Sequence, residues 1–361
     1  MITVTTDQRT YNPTVSIIID NYNYEQYLAD SIESALAQTY PKVEVIVVDD
    51  GSTDSSRAIL KRYEDKVKVL LKDNGGQASA FNFGFEHSTG DLIMFLDSDD
   101  VLTPHAVEKV VEAWDPALSK LHFPLQIIDE LGNLKPVVVP RSQLSEGRMD
   151  QLLLSEGYYV SPPTTGNVFP RAILECLMPI PAEEWPQGAD DYLITQAPFY
   201  GAVGVIDKPL AHFRVHEGSL SNISESGFIN TKQITKLLGD HLRHKRLLEQ
   251  IAVERGLSLS PDVVESHWMH LKLRLVSLKL AKDEHLFPQD QLTAIAVLLV
   301  RSVWRSQELS LLERLEFALW ALSVAVLPVR LAKPLIQYAF GHTPRPKFLQ
   351  YLTRVLRLAD G

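Results

Sequence analysis

The sequence predicts an α/β fold with a mainly parallel sheet and helices on both faces, followed by an all-helical C-terminal region. Three observations predict it. Up to about residue 114, short apolar runs rich in β-branched residues alternate with segments of helical period, the pattern of βαβ units. Acidic turns follow two of those runs directly. Beyond about residue 227, Leu, Arg, Lys, Glu and Gln recur at helical spacing with no strand pattern.

Residues 15–19 (VSIII) read as a buried strand, and 24–38 as a helix with apolar Tyr27, Leu28, Ile32, Ala35 and Leu36 on one face. A strand over 43–48 leads into the turn Asp50-Gly51-Ser52-Thr53-Asp54, where Ser52 or Thr53 could cap a helix over 55–63. A strand over 67–71, a helix over 78–86 and a strand over 92–96 follow. Pro104 marks the start of a helix over 103–114. The pattern then loosens. Strands are expected around 120–128, 135–139, 203–206 and 211–215, with a helix over 190–200. The helical region reads as 234–255, 261–281, 290–307 and 311–326.

The chain has 361 residues and a net charge of −10, which hides a split. Residues 1–228 carry −17 and residues 229–361 carry +7. At ~150 residues per domain, two domains are expected, 1–228 and 229–361. The acidic half disfavours nucleic acid as its direct partner, because a polyanion would be repelled, and suits a site that concentrates a divalent cation. Cys176 is the single cysteine, so a reducing compartment fits, and the N-terminal residues show no signal-peptide pattern.

Four acidic or basic groups carry the chemistry. Asp97, Asp99 and Asp100 follow the strand 92–96. In a parallel sheet, ligands bind beyond the carboxyl ends of strands, and clustered carboxylates repel one another unless a hard cation such as Mg²⁺ or Mn²⁺ neutralises them. A solvated acidic turn would look the same. Asp49-Asp50-Gly51-Ser52 adds carboxylates after a second strand, at the same sheet edge. Asp190-Asp191-Tyr192 opens a helix; its acids favour the helix dipole, and one could also serve as a general base. Phe213-Arg214-Val215-His216 ends with a histidine that reads either as structural or as a metal ligand.

Taken in order, these residues resemble the family 2 glycosyltransferases with the Rossmann-like GT-A fold. The resemblance covers about residues 13–222. It runs through VSIII at 15–19, Asn21-Tyr22-Asn23, SALAQTY at 34–40, VIVVDDGSTD at 45–54, Asn74-Gly75-Gly76, Asn82, GDLIMFLDSDD at 90–100, Asp190-Asp191 and Arg214-Val215-His216. It implies an inverting enzyme that moves a sugar from a nucleotide-sugar donor (a UDP-, dTDP- or GDP-sugar) to a glycan or glycolipid hydroxyl with Mn²⁺ or Mg²⁺. It implies donor contacts from Asp20, Tyr22, Asp50, Gly76, Asp97 and Ser98, with Tyr22 against the nucleobase and Asp50 accepting a hydrogen bond from it. It implies metal ligands Asp97, Asp99 and His216, and Asp191 as the base. Asp20 departs from the family's Pro or Thr, and Phe81 stands where a basic residue is common. The alternatives are a nucleotidyltransferase, which would want a Gly-rich basic phosphate loop after residues 17–19, and a nucleotide-sugar-binding protein without transferase activity. Trp185 and Tyr158 are candidate sugar-stacking residues.

The uncharged run FALWALSVAVLPV at 317–329 is shorter than the ~20 apolar residues of a membrane span. Arg314, Arg330, Lys333, Arg345, Lys347, Arg354 and Arg357 flank or follow it. It reads either as a helix in a membrane interface or as a core helix. The chain is expected in the cytoplasm, and the first reading associates it with the inner face of the membrane.

Overall fold

The computed structural model describes residues 12–216, 231–306 and 309–340. The chain divides into two compact units. Of the described residues, one holds 12–128, 132–149 and 161–214; the other holds 129–131, 150–160, 215–216, 231–306 and 309–340. The expected boundary at 228/229 lies outside the described residues. Packing gives 150–160 to the helical unit although the sequence places it far upstream.

The elements of the chain up to residue 214 are β1 (Val15–Asn21), α1 (Leu28–Leu36), β2 (Val43–Asp50), α2 (Ser56–Leu60), β3 (Lys68–Lys72), α3 (Gln77–Glu86), β4 (Leu92–Asp97), β5 (Val101–Leu102), α4 (Ala106–Ala113), β6 (Leu118–His122), β7 (Leu125–Ile128), β8 (Leu134–Val139), α5 (Asp150–Glu156), β9 (Asn167–Pro170), α6 (Arg171–Leu177), α7 (Ala189–Gln196), β10 (Ala202–Val205) and β11 (Ala211–Arg214). Of these, α5 belongs to the helical unit. A seven-stranded sheet runs β10-β6-β9-β4-β1-β2-β3, and a four-stranded sheet runs β5-β11-β7-β8. In the large sheet β1 pairs in parallel with β2 and β4, and β2 with β3. β9 pairs antiparallel to both β4 and β6, so the sheet is mixed.

The parallel centre follows from its composition. Val15, Ile17, Ile18 and Ile19 are fully buried, as are Ile46, Val47 and Val48, because helices cover both faces of a parallel sheet and leave no polar side. Register sets the site: Asp20 of β1 lies opposite Asp97 of β4, and Asn21 opposite Asp49 of β2. Where the sequence suggested one strand over 120–128, Phe123-Pro124 interrupts it into β6 and β7, which enter different sheets. Neither Ser52 nor Thr53 caps α2. Ser52 Oγ instead takes a hydrogen bond from Asn21 Nδ2 at 3.1 Å, and Asp54 Oδ1 accepts from Ser56 N at 2.9 Å.

The helical unit continues with α8 (Thr231–Arg255), α9 (Trp268–Leu280), α10 (Leu292–Arg305), α11 (Leu311–Val326) and α12 (Val329–Phe340). Residues 261–266, expected to be helical, form turns, and α12 was hidden by Pro328 and Pro334. Its core is aliphatic, from Ile234 and Leu238 through Leu271, Leu275, Ile295 and Leu299 to Val324 and Ile336. Trp320 is buried in it and donates from Nε1 to the Leu335 carbonyl at 2.8 Å.

A second cluster in this unit is aromatic and polar. Tyr158 stacks on His244 at 4.6 Å between centroids and also packs against His241 and His267. His241 stacks on His270 at 5.5 Å. His244 bonds through Nε2 to the Gly157 carbonyl at 2.7 Å, but neither ring nitrogen of fully buried His270 has a hydrogen-bond partner. Burial, reinforced by nearby positive groups, lowers His270 to about 4 and His267 to about 3. A histidine whose folded pKa lies below its unfolded value near 6.5 costs stability as pH falls, with the loss beginning near 6.5 and completing below the folded value. The helical unit is therefore expected to lose stability from about pH 6.5 down to pH 4. His270→Phe, which keeps the ring stack, should lose less over that range. Thermal melts of both proteins at pH 7 and pH 4.5 check this, and an equal drop in Tm would refute it.

Candidate active site

The first unit gathers its carboxylates at one edge of the large sheet, beyond the carboxyl ends of β1, β2 and β4. Asp97, Asp99 and Asp100 each place an oxygen within 4.8 Å of the others, the one such group of potential metal ligands among the described residues. They sit on a tight turn closed by Asp100 N donating to the Asp97 carbonyl at 3.0 Å. Asp100 is fully buried and already engaged: Oδ2 accepts from Thr165 Oγ1 at 2.6 Å and Oδ1 from Arg214 N at 3.0 Å. Its role is to hold the turn. Asp97 and Asp99 are half-buried, and their hard oxygen donors fit Mg²⁺ or Mn²⁺. Arg214 braces the other side of the turn, donating from Nε to the Asp99 carbonyl at 2.8 Å and pairing with Asp30.

Electrostatics single out this cluster. Burial first, then the charges of Asp20, Asp100 and Asp99, push Asp97 well above the usual carboxylate range. Burial likewise raises Asp20 to about 8, with Asp99, Asp190 and Asp50 adding repulsion. Asp20 Oδ1 is buried without a hydrogen-bond partner. A bound cation would relieve this repulsion.

Asp50, at the end of β2, is almost fully buried. Its carboxylate takes an ion pair from Lys72 and hydrogen bonds from Gly75 N and Gly76 N, the latter at 2.7 Å. Gly76 has φ +83°, and a Cβ there would stand 2.5 Å from the Pro186 carbonyl oxygen. Tyr22, just past β1, is 46% exposed. Ser98 is buried within the acidic turn.

Asp190 and Asp191 open α7. Asp190 is held by backbone N–H groups of the first helical turn and by the Thr164 side chain; burial and the neighbouring Asp191 still raise its pKa. The Gln77 side chain ties this helix to the acidic turn: Oε1 accepts from Gly188 N and Ala189 N at 3.1 Å, while Nε2 reaches Asp97 Oδ1 at 3.5 Å. His216 is buried and belongs to the helical unit.

Sequence reasoning missed Gln77, Thr164, Thr165 and Lys120. Gln77 follows Gly75-Gly76 at a helix start, which was the available signal; the others lie in the loosely patterned stretch. Two further expectations are corrected. Trp185 is 2% exposed, edge-on to Tyr192, so it presents no face to a sugar. Tyr158 belongs to the histidine cluster of the helical unit. Phe81 is buried and stacked on Phe95 at 4.0 Å, which explains why no basic residue stands there.

A mixed α/β sheet with acidic groups at the carboxyl ends of its central strands defines a Rossmann-like, ligand-binding class of domain. Residues 16–118 match the family model Glycosyl transferase family 2. An uncharacterized glycosyltransferase of Nostoc sp. is 38% identical over 211 residues, 56% of this chain and 65% of that protein. Another, from Rickettsia typhi, is 36% identical over 146 residues, 40% of this chain and 46% of its own length. The chain thus spans between about half and two thirds of these relatives. A mannosyltransferase from Pyrobaculum calidifontis, solved with GDP-Man and Mn²⁺, is 17% identical over 91% of this chain and 85% of its own, with a TM-score of 0.50, and shares the fold. The chain carries a family 2 glycosyltransferase domain of GT-A fold.

The Gly76 geometry is directly testable. Gly76→Ala must strain a positive-φ position and displace the Pro186 backbone, at about 1–3 kcal/mol. A Tm several degrees below wild type in differential scanning calorimetry is expected. An unchanged Tm would show that this contact yields without cost.

Proposed function

We propose that the protein transfers a sugar from a nucleotide-sugar donor to an acceptor hydroxyl, with inversion at the anomeric carbon and with Mn²⁺ or Mg²⁺. The observation that carries this reading is the crowding of Asp20, Asp97 and Asp99 at the strand ends, where burial and mutual repulsion raise Asp20 and Asp97, beside a helix-opening acid pair. Asp97 and Asp99 would hold the cation. When bound, the cation supplies positive charge against the donor diphosphate, where negative charge grows as the bond to the sugar breaks. Tyr22 packs against the nucleobase, and Asp20, Asp50, Gly76 and Ser98 shape the rest of the donor pocket. Asp191 takes the proton of the acceptor hydroxyl as that oxygen attacks from the face opposite the leaving group. Asp190 is committed to the helix start and to Thr164, which leaves the base role to its neighbour.

Asp191→Asn should bind a nucleoside diphosphate with Mn²⁺ as wild type does, while transfer falls by ~10²–10⁴-fold, the range of a positioned general base. Isothermal titration and single-turnover transfer measure the two. Wild-type transfer would place the base elsewhere. Asp99→Ala, or chelation with EDTA, should abolish the Mn²⁺-dependent part of nucleotide affinity.

The acceptor we propose is a glycan or glycolipid met at a membrane surface through the helical unit. No helix among the described residues is long and apolar enough to cross a membrane. α11 has two characters: Trp320, Ala321, Val324 and Ala325 are buried, while Leu319, Leu322 and Val326 are exposed at 53%, 47% and 77%. Val329 and Leu331 of α12 are exposed beside the cationic Arg330 and Lys333. Such a mixture suits the headgroup interface of anionic lipid. Arg345, Lys347, Arg354 and Arg357 lie outside the described residues. The full chain is expected to float with anionic phosphatidylglycerol vesicles at low salt, less at high salt, and less when Leu319, Leu322 and Val326 are replaced by Ser. Protein that stays unbound at low salt would overturn this placement.

A further inference from the structure

β6 carries a buried lysine that neither the sequence motifs nor the proposed reaction uses. Lys120 is 0% exposed, and its Nζ donates to Ser161 Oγ and Asn167 Oδ1, both at 2.7 Å. Asn167 uses its amide hydrogens on the backbone: Nδ2 donates to the Pro162, Pro163 and Thr164 carbonyls at 3.2, 2.8 and 3.3 Å. The short turn Thr164–Gly166 that follows is thereby gripped from its upstream side. Its two threonines bond to different carboxylates of the site. The Thr164 side chain bonds to Asp190, and Thr165 Oγ1 donates to Asp100 and accepts from Asp97 N at 3.3 Å.

Burying an amine is expensive, and an aliphatic side chain would fill the same space at lower cost. The lysine needs a reason, and the network supplies one. We propose that Lys120 is a positioning residue for the acid pair: through Asn167 it clamps the Pro162–Thr164 backbone and keeps the Thr164 hydroxyl on the Asp190 carboxylate.

The charged groups around Asp190 make this clamp consequential. Asp191 on its own helix, Asp97 at the end of β4 and Asp20 at the end of β1 all disfavour a second negative charge. The Thr164 hydroxyl favours it, as does the protonated form of Lys120 on β6, whose amine burial pushes well below the usual lysine range while Asp190 pulls it back up. With the clamp in place the Thr164 hydroxyl favours the charged form of Asp190, the immediate neighbour of Asp191 at the start of α7, against the burial that disfavours it. Its catalytic meaning rests on Asp191 being the base; the network itself does not.

The test reads Asp190 directly, by NMR titration of the full chain labelled with ¹³Cγ-aspartate. The Asp190 signal is assigned by its loss in Asp190→Asn. Lys120→Met should raise the Asp190 midpoint by about 1 pH unit, a tenfold gain in proton affinity. Thr164→Val should raise it too, and the double variant should shift it by less than the sum, because both act through one link. If Lys120→Met does not fold, Ser161→Ala, which removes one of the two lysine acceptors, is read in its place and should shift the midpoint the same way. A lysine with a purely structural role would lower Tm and leave the midpoint where it is. An unchanged midpoint in folded Lys120→Met, or in Ser161→Ala where that variant replaces it, overturns the proposal, as does strict additivity in the double variant. Normal transfer by Asp191→Asn would instead refute the base assignment and leave these titrations to judge Lys120 alone.

Discussion

Six carboxylates crowd around the ends of the central strands and the start of α7, and their mutual repulsion is the constraint that the first unit is built around. Asp20, Asp50, Asp97, Asp99, Asp100 and Asp190 interact through partly dehydrated surroundings, where like charges cost far more than in water. Three of them are given donors. Asp50 receives Lys72 and two backbone N–H groups, Asp100 receives Thr165 and the Arg214 amide, and Asp190 receives the α7 N-terminus and Thr164. Much of the local architecture follows from supplying those donors. It explains the left-handed Gly76, the Thr164–Gly166 turn, and β11 delivering Arg214 to the acidic turn. Asp20 and Asp97 are left with strongly raised pKa values, so charge demand is concentrated where a cation and a diphosphate would meet.

The helical unit handles buried polarity differently. It buries rings that can stay neutral. Tyr158 and the four histidines around it stack on one another, so the unit gains aromatic contact area but becomes sensitive to protons. The two units thus respond to pH through opposite chemistry, carboxylates that resist losing protons and imidazoles that resist gaining them.

What the sequence makes legible is what lies within a strand and the turn after it. β1 to β4 and the acids at their ends are contiguous, so apolar run and carboxylate are read together. Their neighbours across the sheet follow from parallel register. The supporting groups are far away along the chain. Thr165 meets Asp100 across 65 residues, Arg214 meets it across 114, and Asn82 pairs with Ile180 across 98. No local periodicity encodes such pairs. The same limit hid β9 and α6, which are only four and seven residues long, and it hid the assignment of α5 to the helical unit, which depends on packing against α8.

The departures from the family pattern follow the same physics. At Phe81, the helix α3 faces the sheet rather than the ligand edge, so an aromatic stack with Phe95 replaces a surface cation. At Asp20 the chain adds a carboxylate to an edge already crowded with them, and does so at the register position opposite Asp97. A neutral Pro or Thr there would have relieved the repulsion. Keeping an acid instead strengthens the local demand for positive charge, and it does so on the strand that leads to the exposed Tyr22, which we propose packs against the nucleobase. Selectivity among donors should therefore be sought first at Asp20, where this chain spends electrostatic stability that the fold does not require.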